Sequence, residues 1–299
     1  MTFPQTDIIR ITDFLTLITF EPPPVACLVQ LLAYYLFFFV FFLKSHFFIV
    51  ILHSEIIIKM SAVMTEEQKR AIIESGKNYF RTSIIPNHIK NLQKLRLKDF
   101  DINPFLINYL AAFLCGDTSS QAMAKALVYP RILGTSVNTS FGQNIQIFIS
   151  RLAEVTGSAS GIDGIDIEFV DALDGRKKYC QCKAGPQTIN KDDVDTILGH
   201  FKRLLGKARV DKIPLLMDDL IVGVLYGERI SANYKTINTT YPVYCGAEFW
   251  EHLTGDKTFY YRLAKAFGEV VEEDGIDGSS LILQKVDDIA REITEKGGL

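Results

Sequence analysis

The sequence predicts an α/β protein with a mixed central β-sheet, flanking helices and a helical N-terminal half. Two observations predict this class. Apolar residues recur at helical spacing through residues 65–153. From Gly164 the spacing changes to that of strands, and strands and helices then follow one another along the chain. With 299 residues, the chain is long enough for one large domain or two smaller ones.

The first sixty residues differ in composition from the rest. They hold ten of the 21 phenylalanines, no glycine and only seven charged residues. The stretch Pro24–Leu43 carries no charge and reaches the length of about 20 residues that a transmembrane helix needs. Three interpretations are open: a membrane anchor, a buried hydrophobic arm, or upstream DNA read in frame because the start is misassigned.

We favour a misassigned start, since ordinary composition resumes at Met60 and Met64. Residues 1–63 are then a hydrophobic extension outside the native protein, and no stable membrane association is expected. Residues 64–299 form the functional domain, with a helical part over 64–153 and an α/β core over 154–299. In that domain Thr65 with two following acids predicts a helix N-terminus.

Charge and cysteine content limit the class of protein. The formal net charge of −3 gives no global basic field of the kind that marks many nucleic-acid binders. The five cysteines are odd in number and scattered, which is unlike a secreted disulfide framework. We therefore expect reduced thiols and a cytoplasmic protein.

Four segments before Gly157 are predicted as helices, with Gly, Pro or Asn at the breaks between them. They are 65–84 (TEEQKRAIIESGKNYFRTSI), 103–116 (NPFLINYLAAFLCG), 119–134 (SSQAMAKALVYPRILG) and 144–156 (NIQIFISRLAEVT).

An antiparallel hairpin is predicted next. IDIEFV and KYCQCKA are joined by DALDGRK, whose Asp-Gly pair is typical of a turn. Asn190, with Asp193 three residues later, then predicts a capping-box start for a helix. The apolar stripe of that helix is Val194, Ile197, Leu198, Phe201, Leu204 and Leu205.

The remaining elements are predicted from shorter runs. The continuous apolar run DLIVGVLYG, residues 219–227, predicts a central strand covered on both faces. YPVYCG, residues 241–246, predicts a shorter strand, and 246–254 and 257–273 are predicted as helices that close the chain.

Strand alternation brings polar side chains of the hairpin together. In the first strand Asp166 and Glu168 are expected on one face, opposite Ile165, Ile167 and Phe169. In the second strand Gln181 and Lys183 are expected on the polar face, and Cys180, Cys182 and Ala184 on the apolar one. The Cys-Gln-Cys sequence lacks the further ligands of a zinc site.

This grouping of an acid, an amide and an ammonium is what metal-assisted hydrolysis of a phosphodiester requires. Carboxylate and amide oxygens can bind Mg²⁺, and a lysine can position water or stabilise the transition state. The alternative is a solvated hairpin face with ordinary surface charges.

A resemblance favours the catalytic interpretation. GIDGIDIEF, YCQCKAGP and TINKDDV resemble the core of the PD-(D/E)XK nuclease superfamily, and more closely type II restriction endonucleases of the PmeII kind. The match is densest over residues 154–195. It implies a restriction-endonuclease-like fold, a metal-binding aspartate at Asp166 and a catalytic lysine at Lys183. It also implies Mg²⁺ as cofactor, double-stranded DNA as substrate and a homodimer.

One position departs from the superfamily pattern, because Gln181 stands where Asp or Glu is usual. An amide oxygen can bind a hard cation but brings no charge, so a second acid would have to compensate. Glu168 is one candidate. Glu154 on the preceding helix is the other, since many superfamily members use a helix glutamate there.

The sequence thus predicts an Mg²⁺-dependent type II restriction endonuclease that cuts double-stranded DNA at a short specific site. Asp166, Gln181 and Lys183 are the predicted catalytic residues, and Asp166, Gln181 and Glu154 the predicted metal ligands. Two alternatives stay open. One is a structure-selective or repair nuclease. The other is a membrane-anchored, catalytically silent DNA-binding or interaction protein.

Overall fold

A computed structural model of the chain describes residues 63–299. At its centre lies a four-stranded mixed sheet with the order β1-β2-β3-β4. The strands are β1 (Ile167–Val170), β2 (Lys177–Lys183), β3 (Leu220–Val224) and β4 (Val243–Cys245). The β1 and β2 strands form the predicted antiparallel hairpin, whereas β2, β3 and β4 run parallel. The predicted α/β class with a mixed sheet is confirmed.

Five helices precede the sheet: α1 (Glu66–Tyr79), α2 (Ile85–Lys94), α3 (Pro104–Cys115), α4 (Ser120–Pro130) and α5 (Val137–Thr156). Two π-helical turns, Phe80–Ile84 and Arg131–Ser136, join α1 to α2 and α4 to α5. Two helices connect the parallel strands: α6 (Lys191–Val210) and α7 (Ala232–Asn238). Three helices follow: α8 (Ala247–Thr254), α9 (Phe259–Glu273) and α10 (Gly278–Glu295).

The predicted helix signals act as expected at several ends. The Thr65 side chain accepts a hydrogen bond from the backbone of Gln68, which completes a capping box at α1. Asn190 and Asp193 form the predicted capping box of α6, with reciprocal hydrogen bonds of 2.8 and 2.9 Å. Gly157 ends α5 in the left-handed conformation, which glycine adopts without a steric penalty.

Other boundaries differ from the predictions. The α5 helix begins at Val137, seven residues before the predicted start, because the π-helical turn continues into it without a break. The α2, α7 and α10 helices were not predicted. Asp277 caps α10, since its side chain accepts a hydrogen bond from the backbone of Ser280.

The two faces of the sheet pack against different helices. On the first face, Ile167, Phe169, Cys180 and Cys182 belong to a buried cluster that also holds residues of α1, α5, α8 and α9. On the second face, residues of β3 pack with residues of α6 and α7. All five residues of β3 are buried, and they contribute to both clusters. The predicted central strand, covered on both faces, is therefore confirmed.

A third buried cluster lies among helices alone. It is formed by residues of α2, α3, α4 and α10, so the last helix of the chain packs with the helices that precede the sheet. Within residues 63–299, every helix falls short of the length or the apolarity needed to cross a membrane. The predicted anchor or misassigned start covers residues 1–63, of which 1–62 lie outside the described residues. The division at residues 63 and 153 stays a prediction.

Candidate active site

The candidate site is built at the end of β2. In this strand buried and half-buried residues alternate, with Cys180 and Cys182 buried on the first face and Gln181 and Lys183 half-buried on the second. The thiol of Cys180 and burial raise the pKa of Cys182 well above its ordinary value, so this thiol stays protonated at neutral pH. The cysteines act as apolar residues of the core, as the sequence predicts.

Asp166 lies beside the main chain of β2, just before β1 begins. Its backbone N–H donates to the carbonyl of Cys180 at 2.9 Å, and its Oδ2 accepts from the backbone N–H of Cys182 at 2.6 Å. Cys180 is also the register partner of Ile167, so two consecutive residues of the first strand face one residue of the second. This is the arrangement of a β-bulge, which redirects a side chain and is common next to active sites.

The bulge corrects one predicted face. Ile165 was expected to share a face with Ile167 and Phe169, but it belongs to the cluster on the second face with α6. Regular alternation breaks at Asp166, and the residues before and after it therefore point to opposite sides of the sheet. The Asp166 carboxylate is consequently held by the backbone of Cys182, the residue between Gln181 and Lys183.

Burial controls the electrostatics of Asp166. Burial raises the pKa of this carboxyl above its ordinary value, although the hydrogen bond from Cys182 and the charge of Lys183 act in the opposite direction. The neighbouring lysines Lys177 and Lys178 are paired with Glu168 and Asp174 at 2.7 and 2.5 Å. No acid of residues 63–299 forms such a pair with Lys183, and its ammonium remains available to a ligand.

Gln181 carries an unsatisfied oxygen. Its Oε1 is buried and has no hydrogen-bond partner among the described residues. Leaving such an acceptor unpaired costs about 1–3 kcal/mol, so a buried group of this kind calls for a partner. This amide oxygen and the Asp166 carboxylate, which is bound to the next residue of β2, are of the kind that suits Mg²⁺, since this ion takes one or two protein ligands and keeps several waters. Within residues 63–299, no group of three or more His, Cys, Asp or Glu side chains is arranged to hold a metal.

The two compensating acids are not equivalent. Glu168 accepts from Ser160 at 2.6 Å and pairs with Lys177 at 2.7 Å. Burial raises the pKa of Glu168, but these two partners outweigh burial and leave the pKa lowered. Glu168 is thus ionised and already engaged. Glu154 is exposed near the end of α5, and no hydrogen bond or ion pair joins it to Asp166 or Gln181.

A turn of unusual conformation positions Asp166. Gly164, two residues earlier, has φ +77°, and a Cβ at this position would lie 2.1 Å from Nδ1 of His200 on α6. Only glycine therefore fits, both in conformation and in space. Asp163 in the same turn is exposed, and its carboxylate lies 3.4 Å from the guanidinium of Arg203.

The structure adds residues that the sequence did not single out. The loop after β2 is held at the carbonyl of Gly185, which accepts from Thr188 Oγ1 at 2.9 Å and Tyr234 Oη at 3.1 Å. A cavity of about 410 Å³ lies on the second face of the sheet, and its lining includes Tyr179 and His200. Arg203 and Lys207 of α6 also line it. Tyr179 is two residues before Gln181, and alternation alone would have placed it on this face.

The central sheet, its antiparallel β1–β2 hairpin and the helices on both faces define a restriction-endonuclease-like core. The family model described as Type II restriction endonuclease EcoO109I matches residues 70–274. The match spans more than half of the chain, and the chain therefore belongs to this family. It is accordingly a restriction endonuclease, a nuclease that hydrolyses DNA. No curated protein matches the chain significantly.

Proposed function

We propose that the chain is an Mg²⁺-dependent type II restriction endonuclease of the PD-(D/E)XK superfamily, similar to enzymes of the PmeII kind. It cuts both strands of double-stranded DNA at a short specific site, in the cytoplasm. The observation that carries this proposal is the Asp166 carboxylate, which is bound to the backbone of Cys182 between Gln181 and Lys183. In a chain of this family, a carboxylate bound to the strand between an amide and a lysine supports a metal-dependent nuclease site.

Each residue has a distinct role in the proposed mechanism. Asp166 and Gln181 would hold Mg²⁺ through oxygen, and Glu154 would be a further ligand in the complex with DNA. When bound, Mg²⁺ neutralises charge on the scissile phosphate and lowers the pKa of a water molecule. Lys183 donates hydrogen bonds from its ammonium, which orients the attacking water and stabilises the charge that builds on the phosphate oxygens.

The backbone of β2 contributes by fixing Asp166. The hydrogen bond from Cys182 orients the carboxylate through Oδ2, and Oδ1 accepts no hydrogen bond within residues 63–299. Burial of the site strengthens the electrostatic interactions among the charged groups. A fixed carboxylate also needs little reorganisation when the transition state forms.

A two-fold symmetric enzyme matches a palindromic DNA site, and we infer that the enzyme acts as a homodimer. Each protomer would then cut one strand. In this arrangement a single binding event produces a double-strand break.

Substitution of Lys183 tests the proposal directly. Lys183→Ala is expected to reduce Mg²⁺-dependent cleavage of plasmid DNA by at least about a hundredfold, because a positioned charge of this kind contributes that much. Specific DNA binding, measured by gel shift with Ca²⁺, should remain. Lys265→Ala removes a lysine that is 81% exposed on α9, and it should cut as the wild type does.

Two results would contradict the proposal. Cleavage by Lys183→Ala at the wild-type rate would exclude the assigned role of the lysine. Cleavage of branched or damaged DNA in preference to a defined duplex site would indicate a structure-selective nuclease instead.

A further inference from the structure

The α3 helix exposes an apolar surface that no other element of residues 63–299 covers. Its sequence, PFLINYLAAFLC, contains no charged residue. Nine of its twelve residues are exposed, and only Ile107 and Ala111 are buried, in the cluster shared with α4 and α10. A surface helix of a soluble protein normally directs charged or polar residues outward, and a helix that is apolar all round is normally buried.

The exposed face is large and continuous. Phe105, Tyr109 and Phe113 recur every four residues and are 90%, 61% and 78% exposed. The rings of Tyr109 and Phe113 stack at 5.8 Å between centroids, so they present one surface. Three further side chains, each about half-exposed, widen it: Leu106, Leu110 and Leu114. We call these six residues the α3 surface.

The area of the α3 surface decides what it fits. An aromatic side chain carries about 150–250 Å² and a leucine somewhat less, so the six side chains expose roughly 600 Å². This equals the largest apolar patch that a typical monomer leaves open. Two such surfaces in contact would bury about 1,200 Å², which is the lower bound for specific and stable interfaces.

The chemistry of the surface excludes two other occupants. Protein surfaces that bind DNA are strongly positive, whereas the α3 surface has no lysine or arginine. A helix of 12 residues is about 18 Å long, too short for a bilayer core of about 30 Å. Helices that lie in the membrane interface carry basic residues on their polar face, and α3 has none.

We propose that the α3 surface binds the α3 surface of a second copy of this chain across a two-fold axis. A two-fold interface brings the same patch of both copies together, so the patch must complement itself. An uncharged apolar face meets this condition without like-charge repulsion. The location of the interface rests on the proposed homodimer, but it is tested by molecular mass, which is independent of cleavage.

The test measures the molecular mass of the purified full chain by sedimentation equilibrium. Protein concentrations run from about 0.1 to 10 µM, so that dissociation constants in the micromolar range are detected. The wild type is expected at twice the chain mass of 33.7 kDa, or twice that of whichever N-terminus mass spectrometry identifies. The Phe105→Glu/Phe113→Glu variant is expected to raise the dimer dissociation constant at least about a hundredfold, because central aromatic residues dominate such interfaces.

A matched control places the same two charges elsewhere. Val210 and Tyr261 are 80% and 62% exposed and lie outside α3. Val210→Glu/Tyr261→Glu should remain a dimer. If the charged α3 variant does not fold by circular dichroism, Phe105→Ser/Phe113→Ser serves instead, with an expected weakening of at least about tenfold.

Two outcomes overturn the proposal. A dimer of unchanged affinity in the folded α3 variants shows that the copies associate through another surface. A wild type that is monomeric at about 10 µM, both free and with duplex DNA, shows that something other than a second copy covers α3. Cleavage of DNA by a monomeric wild type would leave the proposed nuclease intact while refuting this interface.

Discussion

The substitution Gln181→Glu tests whether this amide is a metal ligand. It replaces the buried, unpartnered Oε1 by a carboxylate near Asp166. Two like charges about 4 Å apart repel by about 4 kcal/mol at an effective dielectric constant of about 20, and by less at larger separations. The charge of Lys183, which already acts on Asp166, offsets part of this repulsion. We therefore expect a net loss of about 1–2 kcal/mol in the free energy of unfolding without metal.

Magnesium should offset most or all of this loss of stability. A second carboxylate raises the affinity of the site for a hard cation, and a tenfold gain adds about 1.4 kcal/mol of stabilisation once metal is well above its dissociation constant. A domain of this size gains about 2–4 °C in melting temperature per kcal/mol. The shift caused by about 10 mM Mg²⁺ should therefore be about 3–6 °C larger in Gln181→Glu than in the wild type.

The assay is thermal unfolding followed by circular dichroism, with Mg²⁺ or with EDTA. Gln187→Glu is the matched control, because this exposed glutamine lies six residues later and undergoes the same chemical change. Its Mg²⁺ shift should equal that of the wild type. Equal shifts in Gln181→Glu and the wild type would refute the assignment of Gln181 as a ligand.

Two further substitutions test the site and the sheet. Burial raises the pKa of Asp166, so its contribution to stability is full below the ordinary pKa and is lost as pH rises through the raised pKa. Asp166→Asn should thus have a higher melting temperature than the wild type at pH 7, and this difference should disappear below about pH 4. The variant should also lose DNA cleavage by at least about a hundredfold. A melting temperature below that of the wild type at pH 7 would contradict the prediction. Gly223→Ala in β3 would place a Cβ 2.4 Å from the ring of Phe249, and should lower the free energy of unfolding by about 1–3 kcal/mol in denaturant titrations. Its control is Gly142→Ala in α5, where a Cβ would meet no atom within 4 Å. This change should raise the free energy of unfolding by about 0.5–1 kcal/mol. Equal effects of the two changes would count against tight packing at β3.

The elements that the sequence predicted well carry their own signals. The α6 helix has a capping box at Asn190 and an apolar stripe, and both are local properties of the chain. The β3 strand has five consecutive apolar residues or glycine, which is typical of a strand covered on both faces. The hairpin combines alternation with an Asp-Gly turn. In each case the pattern is stronger than any competing one.

The helices that were not predicted differ in how clearly their sequences show a helical period. The α7 helix has seven residues, too few for a helical period to be distinguished. The α2 helix carries the helical period in Ile85, Ile89 and Leu92, and it could have been predicted. The α10 helix does carry the period, since Val286, Ile289, Ala290 and Ile293 are buried, and it could have been predicted.

The candidate site was predictable as a set of residues but not as a geometry. Alternation placed Gln181 and Lys183 on one face correctly, because β2 is regular. It could not reveal the break at Asp166, since a bulge arises from pairing with Cys180 and leaves no local signature. The environment of Glu154 likewise depends on how α5 packs.

The charges of the site bear on when it binds metal. Asp166 and Lys183 carry opposite charges and Gln181 carries none, so the three side chains together are neutral when Asp166 is ionised. A neutral site can fold without a cation, because no pair of buried carboxylates has to be held together. The same neutrality makes the protein alone a weak ligand for Mg²⁺. Phosphate oxygens of bound DNA would supply the missing negative charge, so we infer that metal and DNA bind cooperatively, each raising the affinity for the other by the same factor. Gln181→Glu should reduce this coupling, since the added carboxylate gives the cation its charge before DNA arrives.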